Sequence, residues 1–93
     1  MHIFLGANIM AKNLIYGELL EVYGKMLKEK QFEPMAMYYY DDYSLTEIGD
    51  KLGYSRQAAL LAIQAGEAKL DEMEQKIGFW RYLQEQKKRE QGN

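Results

Sequence analysis

A chain of 93 residues carrying a net charge of −2 and a pI near 5.4 is too short for a large buried catalytic cleft and has no global basic field to attract a nucleic acid. Apolar residues at 47% and charged residues at 28% suit a folded, soluble protein in which any nucleic-acid contact falls to a local patch. Cysteine is absent, which excludes disulfides and thiolate metal sites and fits a reducing cytoplasm.

The chain opens MHIFLGANIMAKNLIYGELL. Its apolar run is too short to span a bilayer, and no Lys or Arg precedes it as a signal peptide requires. Residues 1–9 read as a leader or alternative start, expected to be disordered, and residues 10–93 as one domain. A first helix is expected over Lys12 to Leu27, where Ile15, Leu19, Val22, Tyr23 and Met26 recur on one face at a period near 3.6. Gly17 and Gly24 inside it cost about 1 kcal/mol each relative to Ala, so packing must hold that helix.

A second helical stripe comprises Phe32, Met35, Ala36, Tyr39, Tyr40 and Tyr43. Pro34 sits well only in a first turn, so this helix is expected to start near Gln31 to Glu33 or to kink. Tyr39, Tyr40 and Tyr43 read as core, and Tyr38 as the exposed member of the run rather than as a base-stacking platform.

The third segment has the clearest local signal. Ser44 and Glu47 make an S-x-x-E capping box, with Tyr43 and Ile48 placed for a hydrophobic staple. Gly53 after Leu52 ends a short helix, and Ser55 caps the next. A short helix, a Gly turn and a new cap are the plan of a helix-turn-helix, with Ile48, Leu52, Tyr54 and Ala59 wedging its two helices together.

The fourth helix is expected from Arg56 to Lys76. Ala59, Ile63, Gly66, Leu70, Met73, Ile77 and Trp80 alternate spacings of four and three, the seam of a helix packed lengthwise on another. Gly78 breaks the run before a fifth helix, FWRYLQEQKKREQ, that frays into a charged tail. No segment alternates with period two, so the fold class is all-α.

EKQ at 29–31, YYYDDYSLTEIGDKLGYSRQA at 38–58 and EAKLDEMEQKIGF at 67–79 resemble the YlxM-like family of small bacterial proteins. The resemblance covers nearly all of residues 11–80, and DYSLTEI…SRQA is its most specific part. It implies a helix-turn-helix similar to region four of bacterial sigma factors (a winged-helix-like reader), here with a long fourth helix and a C-terminal helix. It also implies an accessory or regulatory role in the signal recognition particle pathway. Three positions depart from the family pattern. Lys28 stands where Thr commonly caps the second helix, Pro34 replaces a non-proline residue, and Ala59-Leu60-Leu61-Ala62-Ile63-Gln64-Ala65 replaces a stretch resembling V-Y-D-N-I-K-R.

Two kinds of binding surface follow. For a nucleic acid, Arg56 and Gln57 in the first turn of the recognition helix and Gln64 further along supply base-reading donors and acceptors; Ser55 adjoins them and Lys51, Lys28 and Lys30 could meet phosphates. Against this reading, Glu67, Asp71, Glu72 and Glu74 repel a polyanion, and few cations are available to neutralise phosphates. For a protein partner, Leu60, Leu61, Ile63, Leu70, Met73, Ile77 and Trp80 make the fourth helix apolar nearly all round. A two-fold homodimer would cover such a patch. Catalysis finds no constellation. His2 is the only histidine and lies in the leader, and Ser44 and Ser55 are spent as caps. The acidic clusters at Asp41–Asp42 and Asp71–Glu74 read as solvated faces rather than a metal site. No cofactor or small-molecule substrate is expected. The leading expectation is a cytoplasmic binding protein of the signal recognition particle pathway acting on protein or RNA; the alternative is a sequence-specific DNA-binding regulator.

Overall fold

The computed structural model describes residues 12–92; the suggested leader of residues 1–9, with His2, lies outside them. Five α-helices follow one another: α1 (Ile15–Tyr23), a 3-10 turn (Gly24–Met26), α2 (Glu29–Tyr39), α3 (Leu45–Leu52), α4 (Arg56–Ile77) and α5 (Phe79–Gly92). Among the described residues there is no strand. The longest helix, α4, is the axis of the fold and is contacted by the other four.

The first helix is shorter than its apolar pattern suggests, at both ends. Asn13 accepts the Ile15 N–H through Oδ1 at 3.1 Å, so the helix starts after it. Lys12 is used differently: its ammonium donates to the Tyr38 carbonyl at 2.6 Å, pairs with Asp42 and lies 4.7 Å over the Tyr38 ring. At the far end the chain tightens into the 3-10 turn and Leu27 becomes extended. Gly24 is pressed against α2, where a Cβ would lie 2.8 Å from Phe32 Cε1. The turn leaves Met26 59% exposed, whereas Leu20, outside the predicted stripe, is fully buried.

The second helix begins earlier than Pro34 suggests. Lys28, extended and making no side-chain cap, precedes Glu29, so Pro34 lies beyond the first turn. A proline there forfeits a backbone hydrogen bond and ordinarily costs about 3 kcal/mol. It is tolerated here inside the core, where Pro34 and Met35 are both fully buried. Tyr38 and Tyr40 exchange the roles expected of them. Tyr38, three residues from Met35, shares its face and packs on the core beneath Lys12. Tyr40, five residues from Met35, points away and is 46% exposed.

The buried core joins Leu19, Leu20 and Tyr23 of α1 to Met35 of α2, Leu45 and Ile48 of α3, and Ala59, Ile63 and Leu70 of α4. Burying a side chain of this size is worth about 1.5–3 kcal/mol. Gly66 lets α2 approach α4, since a Cβ there would stand 2.7 Å from the buried Met35 thioether. The predicted seam is correct from Ala59 to Leu70 and gives out beyond. Met73 is half-buried and Ile77 is 51% exposed. A helix of 22 residues spans about 33 Å and outruns the shorter helices that cover it. Trp80 does not continue the seam, because Gly78 takes the left-handed conformation and turns the chain into α5. The charged KKRE run stays helical to Gly92. No described helix is long and apolar enough to cross a membrane.

Candidate nucleic-acid and partner interface

The turn between α3 and α4 is built as its residues dictate. Ser44 N–H donates to Glu47 Oε1 at 2.8 Å and Glu47 N–H donates to Ser44 Oγ at 3.1 Å, the two halves of the capping box. Gly53 sits at φ 83°, where a side chain is strained. The N–H groups of Gly53 and Tyr54 both donate to the Gly49 carbonyl, at 2.8 and 2.9 Å. Gly49 is the less visible requirement. A Cβ there would lie 2.5 Å from the Tyr54 carbonyl oxygen, backbone that cannot swing aside. Ser55 Oγ accepts the Ala58 N–H at 3.0 Å and opens α4. Ile48 and Ala59 form the buried wedge between the two helices, with Leu52 partly buried. Tyr54 does not join them and is 37% exposed on the turn.

On this frame Lys51, Ser55, Arg56, Gln57 and Gln64 are all exposed. Lys51 is held over the Tyr43 ring at 5.3 Å. Arg56 and Gln57 occupy the first turn of α4, where the free N–H groups add partial positive charge. Further along, Leu61 is 56% exposed, and the other exposed positions from Gln57 to Ala68 are Gln57, Gln64, Ala65 and Ala68. That outer strip carries no charge.

The residues suggested as a protein interface divide. Ile63 and Leu70 are core, at 2% and 0% exposure, and cannot meet a partner. Leu60, Met73 and Trp80 are partly buried against the core. Leu61 and Ile77 remain accessible. The helix is therefore not apolar all round in effect, because one side of its aliphatic surface is already spent on α1, α2 and α3.

The acidic flank of α4 holds the least expected feature. Tyr39 Oη donates to Glu67 Oε2 at 2.5 Å, Tyr16 Oη to Asp71 Oδ2 at 2.8 Å, and Tyr23 Oη to Glu74 Oε1 at 2.6 Å. Three carboxylates spaced by four and three residues thus each face a phenol from α1 or α2. Burial, helped by the adjoining carboxylate, pushes the Tyr16 hydroxyl up to about 12 and raises those of Tyr23 and Tyr39. Burial also raises the Glu67 carboxyl, against the Tyr39 hydrogen bond that lowers it. Glu74 does more: it accepts the N–H groups of Trp80 and Arg81, both at 3.1 Å, while Tyr23 Oη accepts that of Phe79 at 3.1 Å. The first turn of α5 is capped by side chains from α4 and α1. Of the acidic residues suggested as a repulsive face, Glu72 alone stands among lysines, pairing with Lys69 and Lys76 at 3.5 and 3.2 Å. Among the described residues no group of three or more potential metal ligands is gathered.

A short capped helix, a left-handed glycine and a long second helix with an accessible first turn define a helix-turn-helix protein. Residues 10–91 match the family described as "Putative helix-turn-helix protein, YlxM / p13 like", and the chain belongs to that family, UPF0122. It is 44% identical over 71 residues to a UPF0122 protein of Acetivibrio thermocellus, covering 76% of this chain and 61% of the relative. It is 43% identical over 75 residues to one of Lacticaseibacillus casei (81% and 66%), and 48% identical over 61 residues to one of Symbiobacterium thermophilum (66% and 57%). The chain thus spans roughly three fifths of the length of these relatives. No solved structure matches it.

Proposed function

We propose that the chain is a cytoplasmic, non-catalytic accessory or regulatory protein that works by binding a protein surface with the outer face of α4. The observation that carries this reading is the uncharged strip of Gln57, Leu61, Gln64 and Ala65, with Leu61 more than half exposed at its centre. A strip without cations has little to offer phosphates, because nucleic-acid affinity grows with the number of phosphates neutralised. An exposed aliphatic side chain flanked by amides suits a protein surface. The YlxM-like resemblance suggests a component of the signal recognition particle as the partner, protein or RNA. A second copy of this chain is the self-complementary alternative occupant, joined through Leu61.

A second reading has one favouring observation: Arg56 and Gln57 lie together, exposed, at the N-terminal end of α4, where helix-turn-helix proteins contact base edges. In that reading the protein is a sequence-specific DNA-binding regulator, with Ser55, Lys51 and Gln64 as supporting contacts. The salt dependence of binding to purified signal recognition particle components and to duplexes selected from a random pool separates the readings. A protein interface centred on Leu61 is expected to respond little to salt, to lose about tenfold or more in affinity in Leu61→Lys, and to survive Arg56→Ala. Steep weakening with salt, together with loss of binding in Arg56→Ala, would overturn it in favour of DNA or RNA.

A further inference from the structure

Away from the helix-turn-helix, α1 and α5 flank a groove of about 510 Å³. Its apolar surface comes from Val22, Trp80 and Leu83. Glu18 and Glu21 reach it from α1 and Glu90 from α5, so carboxylates stand on both walls. Lys87 is the only cation among the described lining residues, and among the described residues none of the three carboxylates has an ion-pair partner. Glu18 does accept the Trp80 indole N–H at 2.9 Å through Oε1, which fixes the ring in the groove and leaves Oε2 available.

An apolar trough between two helices, rimmed on both sides by unpaired negative charge, suits an occupant that is apolar on one side and cationic on the other. Nucleic acid is disfavoured by the rim. A second α5 does carry Arg81, Lys87, Lys88 and Arg89, but its Trp80 and Leu83 already face the groove of its own chain, and its Glu85 and Glu90 would be brought to the carboxylates of the rim. We propose that this groove docks a cationic amphipathic helix of a partner protein, its aliphatic side on Val22, Trp80 and Leu83 and its Lys or Arg side chains on Glu18, Glu21 and Glu90. Such helices dock through anchors spaced three and four residues apart. Alongside the nine residues of α1 there is room for about two to three turns. This surface is separate from the outer face of α4 and does not depend on what that face binds.

Trp80 is the only tryptophan of the chain, so its fluorescence reports on the groove directly. The probe is a synthetic amphipathic helix of about 12 residues, Leu on one face and Lys on the other, with a control in which Glu replaces Lys. Titrating the full chain with the Lys peptide is expected to give a saturable shift in Trp80 emission that weakens as salt rises, and the Glu peptide is expected to give none. The double variant Glu21→Lys/Glu90→Lys should bind about tenfold or more weakly. Glu33→Lys, which removes the same kind of charge from α2, and Leu61→Lys should bind like the wild type. Equal weakening in Glu33→Lys would show attraction to net charge alone and overturn the proposal. So would an unchanged Trp80 spectrum up to about 1 mM peptide. Trp80 emission that shifts with protein concentration alone, with a matching rise in solution mass, would give the groove to a second copy and overturn it as well.

Discussion

The two ends of α4 are held in opposite ways. At its N-terminal end the helix-turn-helix is locked by aliphatic burial, with Ile48 of α3 and Ala59 and Ile63 of α4 in one buried cluster, and by caps reaching three residues along the chain. At its C-terminal end α5 adds no side chain to the buried core. It is fastened by Glu74, by Tyr23 Oη and by the Trp80–Glu18 hydrogen bond. Apolar burial is non-directional and spread over many contacts, whereas a hydrogen bond is lost when its one partner is displaced. With no side chain in the buried core, α5 is therefore the element expected to open at a lower free energy than the helix-turn-helix.

The sharpest way to break this contrast is Ile48→Ala, which empties the wedge between α3 and α4. It should cost about 2–5 kcal/mol in the urea unfolding of the whole chain, the range for such core truncations. A loss confined to α3, with α1 and α2 intact, would show that the core is not one cooperative unit. Glu74→Gln should act more locally. It keeps the size of the side chain but weakens the charge-assisted bonds to Tyr23, Trp80 and Arg81, at a cost of about 1–3 kcal/mol. Amide exchange should rise through α5 and Trp80 emission should move toward that of solvated indole, while exchange in α3 stays as it was. The gentlest perturbation is alkali, which deletes no atom. The raised hydroxyls of Tyr16, Tyr23 and Tyr39 stay protonated in the fold at a pH where the unfolded chain already ionises. Their contribution is complete below pH 10, the ordinary tyrosine value, and for Tyr16 is lost as pH rises to about 12. Stability followed by circular dichroism should be flat up to about pH 9.5 and decline above it; a decline that begins near neutrality would exclude the phenol–carboxylate pairs as its cause.

The helix-turn-helix was legible because its signals are local. Ser44, Glu47, Gly53 and Ser55 act within a few residues of themselves, and the apolar repeat of α4 marks its buried face as far as Leu70. Features that depend on remote neighbours were not legible. Gly24 ends α1 because Phe32 lies against it, Pro34 is accommodated mid-helix because the core surrounds it, and Ile77 emerges because α4 is longer than what covers it. Among site residues, the accessibility of Arg56, Gln57 and Gln64 followed from helical position, whereas Ile63 and Leu70 could be assigned to core or interface only with the fold in hand. The phenol ladder had a faint trace, acids at 67, 71 and 74 on one flank of the α4 seam, but their partners lie 28 to 55 residues away.

Those separations also order the folding reaction. The cap and turn bonds of α3 and α4 close loops of a few residues, whereas fastening Trp80 to Glu18 closes one of 62. Loop closure of that length costs chain entropy before any contact offsets it. Seating of α5 on α1 is therefore expected to follow the α3–α4 turn, an order that Trp80 fluorescence set against the helical signal during refolding would measure.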